Sequence, residues 1–534
     1  MHRSPAIFRA RPGPRLTAFL AILLVAGTLF VGWLHPRVAD PTNIGWLLDG
    51  EDRGQNAAGL AAYLRAPPPW PSTRQTLLSA PEGATLLFTD SNPLLGLALR
   101  PIARWLPVGI QFVGPWLLLC VVLQSMFAWL LLRRWTTDAV AAGFGTLLLA
   151  AAPVLINRVG HPNLCAQWLI LWALWIYLDP RRARHPGWWM AVVGVSALVH
   201  SYLLLMVAAI WATATLRALV CEPGRGRLVA GAGLVAAMAA LLVSLHGVVG
   251  ETFQSTGTFG RFAMAIDAWW NPSNSNFEGL QYIGGGLLFL GAAAVFSIAT
   301  GACGAQVRGM LRRLAWLLPA FAVLGLLALG DEWTWRGRVV VDLPLSPSML
   351  AALDPIRAAG RLFWPATYAL SLVVIVLTLQ LQRARFLLIA ACAIQIANIW
   401  PFVATVRADT ASAARLHGYR RTVDPRWATL IARSGSVGFQ PADPFLDLQL
   451  VEEVQWRAIM ACRPTSVTYT SRQTAQTRAR LAREERDFGA SRLDPTRLYV
   501  LLDREPAWAV GHVRELDGVR FIAPSRPAPP PICG

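Results

Sequence analysis

The chain is dominated by long apolar blocks, each about as long as a bilayer is thick. The first runs from Leu16 to Leu34 and follows a basic, polar N-terminal segment. About 20 consecutive apolar residues in a helix cross the hydrocarbon core of a membrane. Of the 534 residues, 55% are hydrophobic and only 15% are charged, whereas about 25% charged residues are usual in soluble domains. The pattern predicts a mainly α-helical, polytopic membrane bundle.

Arginine clusters separate many of these blocks, as at Arg133-Arg134 and Arg181-Arg182. Short loops rich in basic residues favour the cytoplasmic side of a membrane. The apolar stretch 187–219 has arginines beyond both of its ends, so it must cross an even number of times. We therefore expect two short spans there, with a turn near His200 on the outer side.

Counted in this way, the chain has about eleven spans, with its N-terminus in the cytoplasm and its C-terminus outside. The predicted parts are a cytoplasmic N-terminus (1–15), a transmembrane domain (16–404) with a first periplasmic loop (35–109), and a C-terminal periplasmic domain (405–534).

The formal net charge of +18 does not indicate nucleic acid as a partner. All 48 basic residues other than histidine are Arg, in a chain rich in Ala, Gly and Pro, which is typical of a high-GC coding bias. Their position between spans follows the positive-inside rule. The partner that this charge distribution predicts is the lipid bilayer.

The first outer loop concentrates carboxylates near the membrane. Asp49, Glu51 and Asp52 come soon after the first span, and Asp90 lies further along the loop. Ionisable groups at the edge of a membrane are often functional. Other interpretations stay open. Asp49 and Asp52 can be solvated residues at the start of the loop, and Asp90 can cap an amphipathic helix that follows it.

Further ionisable side chains fall at the outer ends of predicted spans. His161 and His200 either meet as ligands of a phosphate or metal, or act singly as interfacial hydrogen-bonding groups. Arg357 and Arg361 are four residues apart, so they share a face if the segment is helical. They either bind a phosphate or pair with acids of the same outer loop, such as Asp354.

From about residue 405 the composition becomes that of a soluble domain. The apolar run Leu498 to Leu502 predicts a buried strand, and the polar stretch Thr470 to Arg486 is helix-like. We expect a small periplasmic α/β domain. Its two cysteines, Cys462 and Cys533, should form a disulfide. When a domain in an oxidising compartment has only two cysteines, they are usually bonded to each other.

Several segments together carry a resemblance to a known family. They are Thr89 to Leu95, Gly160-His161 followed by Trp168 to Leu171, His200 to Leu203, Glu278 to Gly284, and Ile356 to Pro365. In these segments the chain resembles an uncharacterised family of bacterial multi-pass membrane proteins, a domain of unknown function. That family is itself similar to the GT-C glycosyltransferases.

The resemblance implies a fold, a reaction and a location. GT-C enzymes are membrane helix bundles that use a polyprenyl-phosphate sugar as donor and act outside the cytoplasmic membrane. An acid after their first span either acts as general base or helps to hold a divalent cation. The implied site consists of Asp49 and Asp52 as candidate catalytic acids, with Asp90, His161, His200, Arg357 and Arg361 binding substrate. The implied acceptor is an envelope glycan, lipid or protein at the bacterial inner membrane.

Two other classes of function stay open. A transporter or lipid flippase should carry ionisable residues at span centres and internal repeats. Most charges here lie at span ends, and the sequence shows no evident repeat, which disfavours this class. A non-catalytic envelope protein that binds glycolipid is compatible with the whole sequence.

Overall fold

The structure is a computed structural model that describes residues 14–66, 68, 70–247, 258–274, 278–415 and 418–533. The predicted cytoplasmic segment 1–15 lies almost wholly outside the described residues. Up to residue 410 the chain is mainly helical. The helices are α1 (Pro14–Trp33), α2 (Asp52–Arg65), α3 (Pro93–Leu99), α4 (Val113–Leu132), α5 (Ala139–Ala150), α6 (Pro153–Ile156), α7 (Trp168–Tyr177), α8 (Pro180–Arg184), α9 (Pro186–Val199), α10 (Ser201–Cys221), α11 (Arg225–Ser244), α12 (Gly285–Ala299), α13 (Ala305–Ala315), α14 (Leu318–Leu329), α15 (Pro347–Leu353), α16 (Trp364–Thr378) and α17 (Ala384–Thr410).

Within the described residues, six helical segments are long and apolar enough to cross a membrane: α1, α4, α10, α11, α16 with its preceding turn, and α17. The count is seven if α13 and α14, which are bent by 52° against each other, form one span. The predicted eleven spans are not supported. Helices α5, α9 and α12 have 12, 14 and 15 residues. At about 1.5 Å per residue they are shorter than the roughly 30 Å hydrocarbon core.

The turn predicted near His200 separates α9 from α10. The His200 side chain accepts a hydrogen bond from the backbone N–H of Tyr202 at 3.1 Å and so caps α10. A side-chain cap satisfies a donor that the first turn of a helix leaves unpaired. The chain can therefore start a new helix here, and α9 and α10 pack against each other.

A buried polar network joins α4, α16 and the residue that precedes α7. The Tyr368 hydroxyl donates to Gln167 Oε1 at 2.7 Å and accepts from Gln124 Nε2 at 2.9 Å. Phe127 stacks on Trp172 beside this network, with ring centroids 5.4 Å apart. Hydrogen bonds between polar side chains hold membrane helices in register. The network thus ties the middle of α4 to the starts of α7 and α16.

Two short antiparallel strand pairs lie in segments that connect the long helices. Strands β1 (Arg74–Gln75) and β2 (Ala84–Thr85) pair within the first loop. Strands β3 (Glu332–Trp335) and β4 (Arg338–Asp342) pair between α14 and α15. Both pairs shorten connections that would otherwise be long irregular loops.

Residues 418–533 form a four-stranded sheet with helices packed against it. Its strands are β5 (Ser436–Gln440), β6 (Arg497–Leu501), β7 (Val513–Leu516) and β8 (Val519–Ile522), in the order β5-β6-β8-β7. Strands β5 and β6 are parallel and the other pairs are antiparallel. The helices are α18 (Arg426–Ala432), α19 (Leu448–Met460) and α20 (Ala475–Gly489). A small C-terminal unit with a sheet is therefore confirmed, and β6 lies at the predicted strand.

The C-terminal region packs on the first loop through α19 and α2. Gly54 permits this contact, because a Cβ atom there would lie 2.3 Å from Glu452 Oε2. The backbone N–H of Ser471 donates to the Phe88 carbonyl at 2.8 Å and adds a second connection. The first loop and the C-terminal region thus form one packed layer.

The sulfurs of Cys462 and Cys533 are bonded in the structure, and their Cα atoms are 5.5 Å apart. Cys462 follows α19, so the bond ties the C-terminal tail to the helix that contacts the first loop.

Candidate functional site

A cavity of about 1020 Å³ lies between the first loop, the helix ends and the C-terminal region. The start of α2, the segment before α7, the α9–α10 turn and the segment before α16 contribute to its lining, together with residues of the 469–472 segment. The charged and imidazole side chains that line it are Glu51, Asp52, Asp90, His161, His200, Glu278, Asp354, Arg357, Arg361 and Arg472. This concentration of ionisable groups makes the cavity the candidate site.

Asp52 is the first residue of α2 and lines the cavity. A helix N-terminus favours negative charge through the partial positive charge of its free N–H groups. His161 Nδ1 lies 3.2 Å from Asp52 Oδ2, and the Asp52 side chain is 24% exposed. Asp52 is thus a carboxylate that is held in place and remains reachable from the cavity.

Asp90 lies in a tight turn with a positive φ of 49°. Its backbone carbonyl accepts hydrogen bonds from the side-chain amides of Asn56 and Asn163, the latter at 2.7 Å. Gly59 of α2 allows the turn to approach closely, because a Cβ atom there would lie 2.2 Å from Ser91 Oγ. The turn is therefore fixed against α2.

The Asp90 carboxylate points toward both predicted histidines. Its oxygens lie 3.8 Å from His161 Nδ1 and 3.7 Å from His200 Nε2. The alternative role of Asp90 as a helix cap is wrong. Asn92 caps α3 instead, with its Oδ1 accepting from the Leu95 backbone N–H at 3.2 Å.

His161 lies between three carboxylates. Besides Asp52 and Asp90 it contacts Glu278, whose Oε1 is 3.3 Å from His161 Nε2. Burial alone would lower the pKa of His161, but the nearby carboxylates of Asp90, Glu278 and Asp52 raise it to about 9. A protonated imidazole therefore links the acids of the first loop to Glu278.

Glu278 is the centre of a buried ion cluster that the sequence interpretation missed. Arg361 donates to Glu278 through Nε at 2.6 Å and through Nη2, and Arg158 donates to the same carboxylate. Burial opposes ionisation, but Arg361, His161 and Arg158 together hold the pKa of Glu278 well below its usual range. Glu278 is the first residue of the Glu278 to Gly284 segment, which is one of the segments that carry the family resemblance. That position was the signal that could have identified it.

The predicted pair Arg357 and Arg361 separates in the structure. Arg361 is buried against Glu278, whereas Asp354 pairs with Arg472 of the C-terminal region at 3.1 Å. Arg357 is half-buried, lines the cavity and forms no ion pair with a described residue. Arg357 thus offers a positive charge to a ligand.

Asp49 lies beside the cavity and is not part of its lining. Its carboxylate pairs with Arg53 at 2.5 Å. Burial raises the pKa of Asp49, and Arg53 opposes the rise. Burial, with the charges of Asp49 and Asp52, also raises the pKa of Glu452 well above its usual range. Asp49 thus belongs to a buried contact between α2 and α19.

Two tyrosines complete the cavity wall and were not predicted. Burial raises the pKa of Tyr469, and the charge of Asp52 adds to the effect. The Tyr202 hydroxyl accepts from the backbone N–H of Ala358 at 2.9 Å, and the Arg361 guanidinium lies 5.1 Å from the Tyr202 ring centroid. Tyr202 therefore holds the segment that carries Arg357 and Arg361.

Among the described residues, no group of three His, Cys, Asp or Glu side chains is arranged to hold a metal ion. Both ring nitrogens of His161 face carboxylates. The divalent cation that the resemblance implies therefore has no ready ligand set in this part of the chain.

The apolar helices and the ionisable cavity at their ends define the architecture of a multi-span membrane protein. The chain belongs to the family described as "Domain of unknown function (DUF6311)", whose profile matches residues 23–400. The profile of the DUF6311 C-terminal domain matches residues 426–524. The family predicted from the sequence, a domain of unknown function, is thereby confirmed.

No curated protein matches the chain. Among solved structures, the chain is similar to the crystal structure of an oligosaccharyltransferase from Archaeoglobus fulgidus, determined with zinc and sulfate, at 12% identity and a TM-score of 0.40. The match covers 85% of this chain and 62% of the archaeal one, so the chain spans less than two thirds of that protein's length. At this distance the likeness does not extend to the reaction.

Proposed function

We propose that the protein is a membrane glycosyltransferase that moves a sugar from a polyprenyl-phosphate donor to an envelope glycan, lipid or protein acceptor. The reaction takes place at the periplasmic side of a bacterial inner membrane. The observation that carries the proposal is that two groups line one cavity at the ends of apolar helices: a reachable carboxylate, Asp52, and Arg357, a cation without an ion pair among the described residues.

In the proposed reaction Asp52 acts as the general base. Its carboxylate takes the proton of the acceptor hydroxyl while the acceptor oxygen forms a bond to the anomeric carbon of the sugar. The bond from that carbon to the phosphate oxygen breaks, and the phosphate leaves with the electron pair. The contact with His161 at 3.2 Å orients the carboxylate, and a positioned base contributes roughly 10²- to 10⁴-fold to such a rate.

Positive charge is needed where the phosphate leaves. Arg357 is the best candidate, because Arg361 is already occupied by Glu278. A guanidinium offers a fork of donors that matches phosphate oxygens. Arg361 and Glu278 then act as a support that positions His161 behind Asp52.

The first prediction is that Asp52→Asn abolishes transfer without unfolding the protein. We expect a strain that lacks the gene to lose a surface glycan or glycolipid, as measured by mass spectrometry. The wild-type gene should restore it, and Asp52→Asn should reduce product formation by roughly 10²- to 10⁴-fold, the share of a general base. Asp503→Asn, at an exposed carboxylate of the C-terminal region, is the matched control and should behave as wild type.

Asp49→Asn distinguishes the two acids that the sequence left open. If it abolishes the product while Asp52→Asn retains it, Asp49 is the base and the assignment to Asp52 is wrong. If the deletion leaves every glycan unchanged, the protein is not a glycosyltransferase. Membrane-fraction immunoblots check that each variant is present at wild-type level.

A further inference from the structure

A second cavity, of about 440 Å³, lies at the far ends of α7 and α10. Helix α10 connects the two regions: His200, which caps its start, lines the candidate site, and Arg217, near its other end, lines the second cavity. Helix α10 has 21 residues, which corresponds to a length of about 30 Å. His200 and Arg217 are separated by most of this helix, so the two cavities lie apart by most of the thickness of a hydrocarbon core.

The second cavity is strongly basic. Its charged lining residues are the four arginines Arg134, Arg217, Arg312 and Arg313, without any carboxylate. The acids nearest to them are shared with other arginines. Asp179 pairs with Arg134 at 3.4 Å and with Arg182 at 2.9 Å, and Glu222 pairs with Arg217 at 3.2 Å and also with Arg184.

These six arginines and two acids leave a local excess of four positive charges. Burial lowers the pKa of Arg134, and the charge of Arg182 lowers it further. The positive-inside rule accounts for arginines in loops, but it does not account for four guanidinium groups gathered around one cavity. A bound anion would relieve their mutual repulsion.

Two of the guanidinium groups are free to bind an anion. Arg313 is held through Nε, which donates to the Tyr177 carbonyl at 2.6 Å, and the Tyr177 hydroxyl donates back to the Arg313 carbonyl at 2.7 Å. Its Nη groups donate to no described residue, and the Arg312 side chain forms neither an ion pair nor a hydrogen bond within the described ranges. Adjacent free guanidinium donors suit the oxygens of a phosphate.

Apart from Gln306, the rest of the lining is apolar and lies at a membrane boundary. Trp135, Met310 and Trp316 face the cavity. Helix α13 buries Val307, Met310 and Leu314 and leaves Arg312 exposed, as expected for a helix that lies along a membrane surface. An occupant should therefore combine an anionic head with an apolar body.

We propose that this second cavity binds the phosphate of an anionic membrane lipid, on the membrane face opposite the candidate site. Basic pockets at helix ends are a known way of holding anionic headgroups. The site differs from the candidate glycosyl-transfer site in residues and in position, so it stands independently of the proposed reaction.

The test uses the full chain, purified in detergent and stripped of lipid. Phosphatidylglycerol, phosphatidylcholine with the same acyl chains, and sodium phosphate are each titrated, with bound lipid counted by native mass spectrometry and the Tm recorded. We expect phosphatidylglycerol to bind and raise the Tm, while phosphatidylcholine does neither. If sodium phosphate raises the Tm equally, the lipid assignment is wrong and the cavity takes free phosphate.

Arg312→Gln with Arg313→Gln should weaken phosphatidylglycerol binding at least tenfold. Arg225→Gln with Arg227→Gln, a matched change of two exposed arginines outside the cavity, should leave it unchanged. Because Arg313 has structural hydrogen bonds, Arg312→Gln alone is tested as well and should weaken binding about threefold without loss of stability. Wild-type affinity in both Arg312 variants would overturn the proposal.

Discussion

His161 carries a positive charge that lies among three carboxylates of the candidate site. Asp52, Asp90 and Glu278 all lie within 4 Å of its ring nitrogens. Its pKa of about 9 lies above the ordinary value of 6.5. Because the pKa is raised in the folded state, the bound proton stabilises the fold. That stabilisation is fully present below about pH 6.5 and is lost as the pH rises through about 9.

We therefore predict that the Tm of the purified protein falls between pH 7 and pH 9.5, and that His161→Gln flattens this fall. Thermal unfolding monitored by intrinsic fluorescence over this pH range measures it. His512→Gln, at an exposed histidine of the C-terminal region, is the control and should follow the wild-type profile. An unchanged pH profile in His161→Gln would show that another group carries the effect.

Position along the chain indicated several side chains that line the cavity, and their roles in a reaction stay predictions. Asp52 and Asp90 were expected in the first outer loop, and His161, His200 and Arg361 at or near outer span ends. The structure brings all five to one cavity. Glu278 and Tyr469 were missed, because their partners lie far away in the sequence. Arg158 precedes Glu278 by 120 positions, and nothing local indicates that contact.

At the scale of elements, the contact between α2 and α19 controls how the cavity is closed. The Gly50 backbone N–H donates to Glu452 Oε2 at 2.9 Å, and Gln55 Nε2 donates to the Tyr469 carbonyl at 2.7 Å. The C-terminal region thus holds both the start of α2, where Asp52 lies, and the 469–472 segment. The disulfide that follows α19 anchors the tail to the same element.

We predict that Cys462 and Cys533 are bonded in the mature protein. Of the seven cysteines, five should react with a thiol label in denaturant without reductant, and all seven after reduction. A closed loop of 71 residues should stabilise the fold by roughly 2–4 kcal/mol. The Cys462→Ser variant provides the control, because it should expose Cys533 as a labelled thiol. Label at either position in the unreduced wild type, located by peptide mapping, would contradict the bond.

At the scale of the whole molecule, hydropathy located the apolar segments but did not predict how long the helices within them are. Helix α7 has only 10 residues, although it lies in a longer apolar run from Leu164 to Leu178. The short turn Pro162–Cys165 and Gln167 take up the first part of that run. Hydropathy does not show where a helix begins, because apolar residues also fill buried turns.

Helix α17 provides a direct test of topology. It has 27 residues, which correspond to about 40 Å and exceed the hydrocarbon thickness. We predict that a reporter fused after Leu381 lies in the cytoplasm and one fused after Gly418 in the periplasm. Alkaline phosphatase and green fluorescent protein fusions measure this. The same side for both reporters would mean that α17 does not cross.

The hydrogen bond between Gln55 and Tyr469 joins residues that are 414 positions apart. A ribosome that adds 5–20 residues per second needs roughly 20–80 s to synthesise the intervening chain. During that interval the acids of the first loop have been synthesised, but the segment that later covers them has not. The cavity can be completed only after synthesis has reached the 469–472 segment. A nascent chain that stalls before that point inserts its helices but has no finished site.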